Sequence, residues 1–284
     1  MPKAGNSRVA FVLGGGGHLG AHEVGMLRAL LEHDVVPDLV LGSSIGALNG
    51  AAVAAAPTPE AVDRLEEVWL QLVGSDLLGG SLMSRAVRLA RTGTHLHGNG
   101  PLRAVLERHL PPRIEDLDVR FQCVAACIER AAEHWFAEGP LADAVLASAA
   151  LPGVLPVVRI GEEHFMDGGL VNSIPLGRAI ALGAREVYVL HVGRVEQPLT
   201  PPATPWGVAL TAFEIARRHR FAQDLGSIPD GVAVHVLPTG TPQGAAVGLR
   251  QQFRYRDFSS VRTRIERAYR ASSAYLDGVR SDAT

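Results

Sequence analysis

The stretch VAFVLGGGGHLG, Val9 to Gly20, decides how the chain reads. A short β-branched and aromatic run meets four consecutive glycines, Gly14 to Gly17, and then enters a helical pattern. Val24, Leu27, Leu30 and Leu31 recur at helical spacing over residues 20–33. A buried strand, a glycine turn and a helix N-terminus, in that order, make an anion site from backbone N–H groups and the helix dipole. Without side chains the glycine backbone can approach a ligand closely. This stretch alone leaves the anion open. A phosphate would make a nucleotide protein, and a transient oxyanion an acyl-transfer enzyme.

Outward from it, residues 38–41 read as a second short buried strand, residues 42–46 as a second glycine turn, and residues 45–56 as an alanine-rich helix. A βαβα opening predicts two adjacent parallel strands. Both glycine turns then lie at the carboxyl edge of the sheet, where open α/β sheets bind ligands. Further strands are predicted at 119–128, 134–137, 163–166, 186–192 and 232–237. Helices are predicted at 59–72, 102–109, 141–149, 175–182, 206–225 and 257–276. The expected fold class is α/β: a single doubly wound, mostly parallel sheet flanked by helices. One domain over residues 1–284 is expected, with a motif-bearing core at about 8–195, an irregular insertion at about 74–100 and a C-terminal α/β extension at about 205–278.

Composition narrows the classes. Hydrophobic residues make up 47% and charged residues 20%, a globular balance rather than a disordered one. A net charge of −2 gives no electrostatic reason to expect a nucleic-acid partner. The two cysteines, Cys123 and Cys127, cannot form a disulfide framework or a metal cluster and read as small buried groups on one side of a strand. A reduced, cytoplasmic setting follows as the expectation. MPKAGNSR runs straight into the first strand with no signal-peptide pattern, and no uncharged apolar stretch is long enough to cross a bilayer. No cofactor or metal is expected.

The second turn, Gly42-Ser43-Ser44-Ile45-Gly46, is a G-x-S-x-G between a strand and a helix. At such a turn Ser44 is held in a strained conformation with its hydroxyl exposed, and the small residues Gly42 and Gly46 prevent clashes. The N–H of Ile45, at the helix N-terminus, can donate to an oxyanion. The bland alternative is a glycine-rich turn with Ser44 as a helix cap. Gly15-x-Gly17-x-x-Gly20 also fits a dinucleotide fingerprint literally. That reading wants an acid at the end of the second strand, and Asp38 opens the strand instead, pointing away from the site. A serine hydroxyl needs a base. His191 and His235 sit inside predicted strands, and His95 and His97 lie in the irregular region. Asp167 ends a strand and is followed by Gly168 and Gly169, so its carboxylate can deprotonate a hydroxyl directly.

Together these pieces resemble the patatin-like phospholipase family, whose marks are a glycine-rich loop, a G-x-S-x-G and a later D-G-G or D-G-A. Gly14 to Gly20, Gly42 to Gly46 and Asp167 to Gly169 follow in that order. Ala147-Ser148-Ala149-Ala150-Leu151-Pro152 and the segment Asn172 to Pro175 resemble the family's stretches on either side of the aspartate. The resemblance implies a three-layer α/β/α fold and a serine acyl hydrolase acting on lipid or other esters without a cofactor. It implies Ser44 as nucleophile, Asp167 as base, and Gly15, Gly16 and Gly17 as oxyanion donors. One departure stands out: Leu19 occupies the position where the family usually carries Arg or Lys. His18 beside it reads as a solvated loop residue. Leu77, Leu78, Leu82 and Met83, followed by Arg85, Arg88 and Arg91, offer a peripheral membrane contact, against a solvated helix face as the plainer reading. The same choice applies to Arg217, Arg218 and Arg220 on the helix at 206–225. The rival functions are a dinucleotide-binding oxidoreductase, a non-catalytic protein on the same fold, and a conventional Ser-His-Asp hydrolase. The oligomeric state is open.

Overall fold

The computed structural model describes residues 9–74, 91–192, 198–241 and 258–282. Most of the expected insertion, with Leu77, Leu78, Leu82, Met83, Arg85 and Arg88, lies outside the described residues. Eight strands are described: β1 (Val9–Leu13), β2 (Leu39–Ser43), β3 (Arg120–Cys127), β4 (Ala132–Phe136), β5 (Val158–Ile160), β6 (Glu163–Asp167), β7 (Glu186–Leu190) and β8 (Ala233–Val236). The helices are α1 (Ala21–Glu32), α2 (Ile45–Ala55), α3 (Pro59–Gly74), α4 (Gly100–His109), α5 (Leu141–Ser148), α6 (Gly169–Asn172), α7 (Leu176–Ala181), α8 (Pro205–Leu225) and α9 (Phe258–Asp282).

The predicted parallel set forms, in the order β3-β2-β1-β7-β8. Its alternating side chains divide the core in two, as a strand's period of two requires. Phe11, Leu13, Val40, Phe121, Cys123, Tyr188 and Leu190 face one apolar cluster, together with residues of α1, α2, α3 and α9. Ala10, Val12, Leu39, Leu41, Val187 and Val189 face the other, with Leu176 and Ala179 of α7 and Phe221 of α8. Helices thus cover both faces, giving the three-layer α/β/α arrangement. Burying each Val, Leu or Phe side chain among these contributes about 1.5–3 kcal/mol relative to exposure. Cys123 and Cys127 are both buried on the same face, as their spacing indicated. Among the described residues, no helix is long and apolar enough to cross a membrane.

The rest of the sheet is antiparallel. β4 and β6 both run against β3, and β5 against β6. The sequence does not predict β5, because three residues between Pro156 and Gly161 carry too little period-two pattern. Pro175 caps α7 rather than opening it, and α9 continues past Leu276 to Asp282.

Candidate active site

β3 acts as the ruler of the site. Cys123 and Val124 pair with β2 on one edge and with β4 on the other. Ala125 to Cys127 pair with β4 and β6, so β6 takes up the edge of β3 where β2 stops. β2 is parallel to β3 and β6 antiparallel, so their carboxyl ends converge. Ser43 pairs with Val124, and Asp167 with the next residue, Ala125. Two segments more than a hundred residues apart therefore deliver Ser44 and Asp167 to one point.

Ser44 has φ 55 and ψ −122, between β2 and α2. A non-glycine residue in such a region costs of order 1–3 kcal/mol and persists only where its surroundings hold it. The flanking glycines show how tightly they do. A Cβ on Gly42 would lie 2.5 Å from Ala47 Cα, and one on Gly46 would lie 2.4 Å from the Leu13 carbonyl oxygen. α2 thus rests its first turn directly against the ends of β1 and β2, and no side chain fits at either position. The backbone N–H of Ser44 donates to Ser148 Oγ at 2.9 Å.

The Ser44 hydroxyl donates to Asp167 Oδ2 at 2.6 Å, a length typical of an O–H bond to an ionised oxygen. The second oxygen, Oδ1, accepts the Gly169 N–H at 2.7 Å, so the carboxylate is held at both ends. Asp167 is 1% exposed. Burial raises its pKa from 3.8 to about 6, partly offset by the bonds from Ser44 and Gly169 and by the positive charge of Arg217. The carboxylate thus remains mostly ionised at pH 7, yet is far more basic than an exposed aspartate, as a general base requires. The end of α5 ties the two motifs together. Ser148 bonds Ser44 through its hydroxyl and accepts from the Gly168 N–H through its carbonyl, while Ala150 accepts from the Asp167 N–H.

The glycine loop abuts this pair: a Cβ on Gly15 would lie 3.3 Å from Ser44 Cβ. The expectation that Gly15 donates to an oxyanion is not met, because its N–H donates to the Ser173 carbonyl at 3.0 Å. Gly14 likewise donates to the Leu190 carbonyl, prolonging the β1–β7 ladder. The loop then turns at Gly16 into a short 3-10 turn, Gly17 to Gly20, and α1. Gly20 lies against the Ile45 side chain, which brings the starts of α1 and α2 side by side.

Other candidates are placed elsewhere. His191 follows β7, buried against Phe221, and His235 stacks on Tyr188 while sharing a hydrogen bond with the Tyr275 hydroxyl. His95 and His97 lie along the turn at Gly153 and Val154. Asp38 accepts from the Val9 N–H at the opposite edge of the sheet, where a ribose-binding acid would serve no purpose. His18 is buried, not solvated, as is Leu19. Arg217 is also buried, not part of a solvated face: it donates to the Gly15 carbonyl at 2.5 Å and pairs with Glu214. Two residues escaped the sequence reading as site residues, Ser148 and Arg217. Ser148 stood in a stretch already singled out, but nothing there gave it a partner.

The family model for Patatin-like phospholipase matches residues 11–180, more than half of the chain. The chain belongs to the patatin-like phospholipase family. The matched span holds the glycine loop, Ser44 and Asp167. It ends before α8, the helix that carries Arg217. A patatin-like phospholipase domain-containing protein of Caenorhabditis elegans, ZK370.4, is 33% identical over 191 residues, which are 66% of this chain and 14% of that protein. Human patatin-like phospholipase domain-containing protein 6 is 31% identical over the same shares. Lysophospholipase nte1 of Aspergillus terreus is 28% identical over 207 residues, 72% of this chain and 13% of that protein. The chain therefore spans about one-seventh of these patatin-like relatives. Among solved structures, VipD from Legionella pneumophila aligns at a TM-score of 0.45 and 14% identity, covering 96% of this chain and 67% of that one.

Proposed function

We propose that this patatin-like protein is a serine acyl hydrolase of lipid esters that works through a Ser44–Asp167 dyad. The observation that carries the reading is the 2.6 Å bond from the Ser44 hydroxyl, on a strained elbow, to a buried carboxylate clamped by Gly169. Asp167 takes the Ser44 proton as Oγ attacks the ester carbonyl. The N–H groups of Gly16, Gly17 and Ile45 receive the oxyanion. Asp167 returns its proton to the leaving alcohol, and an acyl-enzyme on Ser44 results. A water deprotonated by Asp167 then releases the acid. The names of the relatives support a lipid substrate. Exposed apolar side chains are in keeping with it: Leu170, three residues after Asp167, and Val208 and Ile215 on α8, the helix packed against α6. These side chains would also serve a peripheral membrane contact.

Hydrolysis of a short-chain nitrophenyl ester and of a lysophospholipid, by wild type and Ser44→Ala, tests the reading. Wild type is expected to hydrolyse both, and Ser44→Ala neither. The rate is expected to fall on the acid side as Asp167 takes up its proton near pH 6. Full activity in Ser44→Ala would refute the mechanism.

A further inference from the structure

We infer that Arg217, held by Glu214, is a positioning residue of the oxyanion loop: by bonding the Gly15 carbonyl it sets the direction of the Gly16 N–H. The inference rests on the proposed acyl-hydrolase reading and deepens it. The Gly15 C=O and the Gly16 N–H belong to one planar trans peptide and point in opposite directions. Whatever holds the carbonyl therefore aims the amide. Arg217 Nη1 donates to that carbonyl at 2.5 Å, from a position 202 residues away in sequence. On the other side of Gly15, its own N–H is held by the Ser173 carbonyl. The peptide between Gly15 and Gly16 is thus fixed from both flanks, beside Ser44.

The guanidinium is itself built in rather than draped over the surface. Arg217 is 5% exposed and Glu214 2%. Arg217 Nε lies 3.0 Å from Glu214 Oε2, and Nη2 donates to Oε1 at 3.2 Å; Arg218 Nε donates to Oε1 at 2.8 Å from the outer side. Burying an ion pair seldom adds net stability, because desolvation offsets the attraction. A pair kept inside against that balance, with its free prong on a loop carbonyl next to a nucleophile, serves the geometry of the loop. The glycine loop has no Arg or Lys of its own to do this: Leu19 is buried and apolar. Arg217 also acts on Asp167 as a positive charge, with the Ser44 hydroxyl and the Gly169 N–H as the other groups bearing on that carboxylate. The site is then completed by α8, which lies outside residues 11–180.

The experiment compares wild type, Arg217→Met, Arg217→Lys, Glu214→Gln and Ser44→Ala as full chains. It measures kcat and KM on a nitrophenyl ester across pH, labelling of Ser44 by a fluorophosphonate, and thermal melting. Misaiming one oxyanion donor is expected to lower kcat in Arg217→Met about 10- to 100-fold with KM within about twofold. Arg217→Lys is expected to recover part of the loss. The acid limb is expected to move up in Arg217→Met, which loses a cation beside Asp167, and down in Glu214→Gln, which leaves that cation uncompensated. If Arg217→Met does not fold, the opposite limb shift in Glu214→Gln and the intermediate kcat of Arg217→Lys carry the test. A folded Arg217→Met with wild-type kcat, or a loss that Arg217→Lys does not relieve and that leaves the acid limb in place, overturns the inference. Ser44-dependent hydrolysis that ignores Arg217 overturns the inference alone. Wild type that neither hydrolyses nor labels takes the acyl-hydrolase reading down with it.

Discussion

Replacing Asp167 with Asn is expected to stabilise the protein while abolishing its chemistry, and the gain should depend on pH. A carboxyl whose pKa moves from 3.8 to about 6 on folding carries about 3 kcal/mol against the folded state once both forms are ionised. The sign follows from the protonated form being the one the fold prefers. Well below pH 4 the group is neutral in both states and costs nothing. Between pH 4 and 6 the unfolded chain ionises first and the fold loses ground. Above pH 6 the loss is complete. Asn is neutral throughout and similar in shape. Its carbonyl can accept the Gly169 N–H and its NH₂ can face Ser44 Oγ, so any poorer hydrogen bonding relative to the protonated carboxyl subtracts about 1 kcal/mol. The expected net gain is about 2 kcal/mol at pH 8. At pH 5 the ionisation cost has fallen to roughly half, so the gain shrinks by about 1 kcal/mol. That difference does not depend on the hydrogen-bond correction. Urea unfolding of wild type and Asp167→Asn at both pH values measures it. Equal gains at pH 5 and pH 8, or a loss at pH 8, would refute the argument that burial of an ionised carboxylate sets the basicity of this group.

Ser44→Gly removes the hydroxyl and relieves the backbone at φ 55, so unfolding should show about 1 kcal/mol of added stability in a protein that no longer reacts with fluorophosphonate. Ser148→Ala leaves the Ser44 N–H without its acceptor; a stability loss of about 1–3 kcal/mol and a lower kcat are expected, read by denaturation and ester hydrolysis. Gly46→Ala forces a methyl to 2.4 Å from the Leu13 carbonyl oxygen, so the melting temperature should drop and Ser44 labelling should be lost with it.

Much of this arrangement was legible in residue order because its determinants are local. The run from Val9 to Leu13, the glycines after it, and the elbow Gly42 to Gly46 each specify their conformation within a few residues, and the parallel pairing of β1 with β2 follows from the short helix between them. Asp167 was legible for the same reason: a strand end followed by two glycines. What could not be read was pairing across distance. Nothing near residues 120–127 announces that β2 and β6 will share one edge of β3, since sheet order is settled by the packing of the whole. The sequence offers Gly15 as a donor because its acceptor, the Ser173 carbonyl, comes from the turn between α6 and α7, far along the chain. Arg217 looked like one cation in a basic helix with Arg218 and Arg220. Only the tertiary path of α8 turns it inward, while Arg220 remains beside Glu133 and Asp224 nearer the surface.

The central claim is that Ser44 is a nucleophile activated by Asp167. Fluorophosphonate labelling of the full chain, with the modified residue located by mass spectrometry, tests it most directly. The account expects one adduct, on Ser44, absent in Ser44→Ala and strongly slowed in Asp167→Asn. A folded wild-type protein that leaves Ser44 unmodified, or an Asp167→Asn variant that reacts at the wild-type rate, would contradict it.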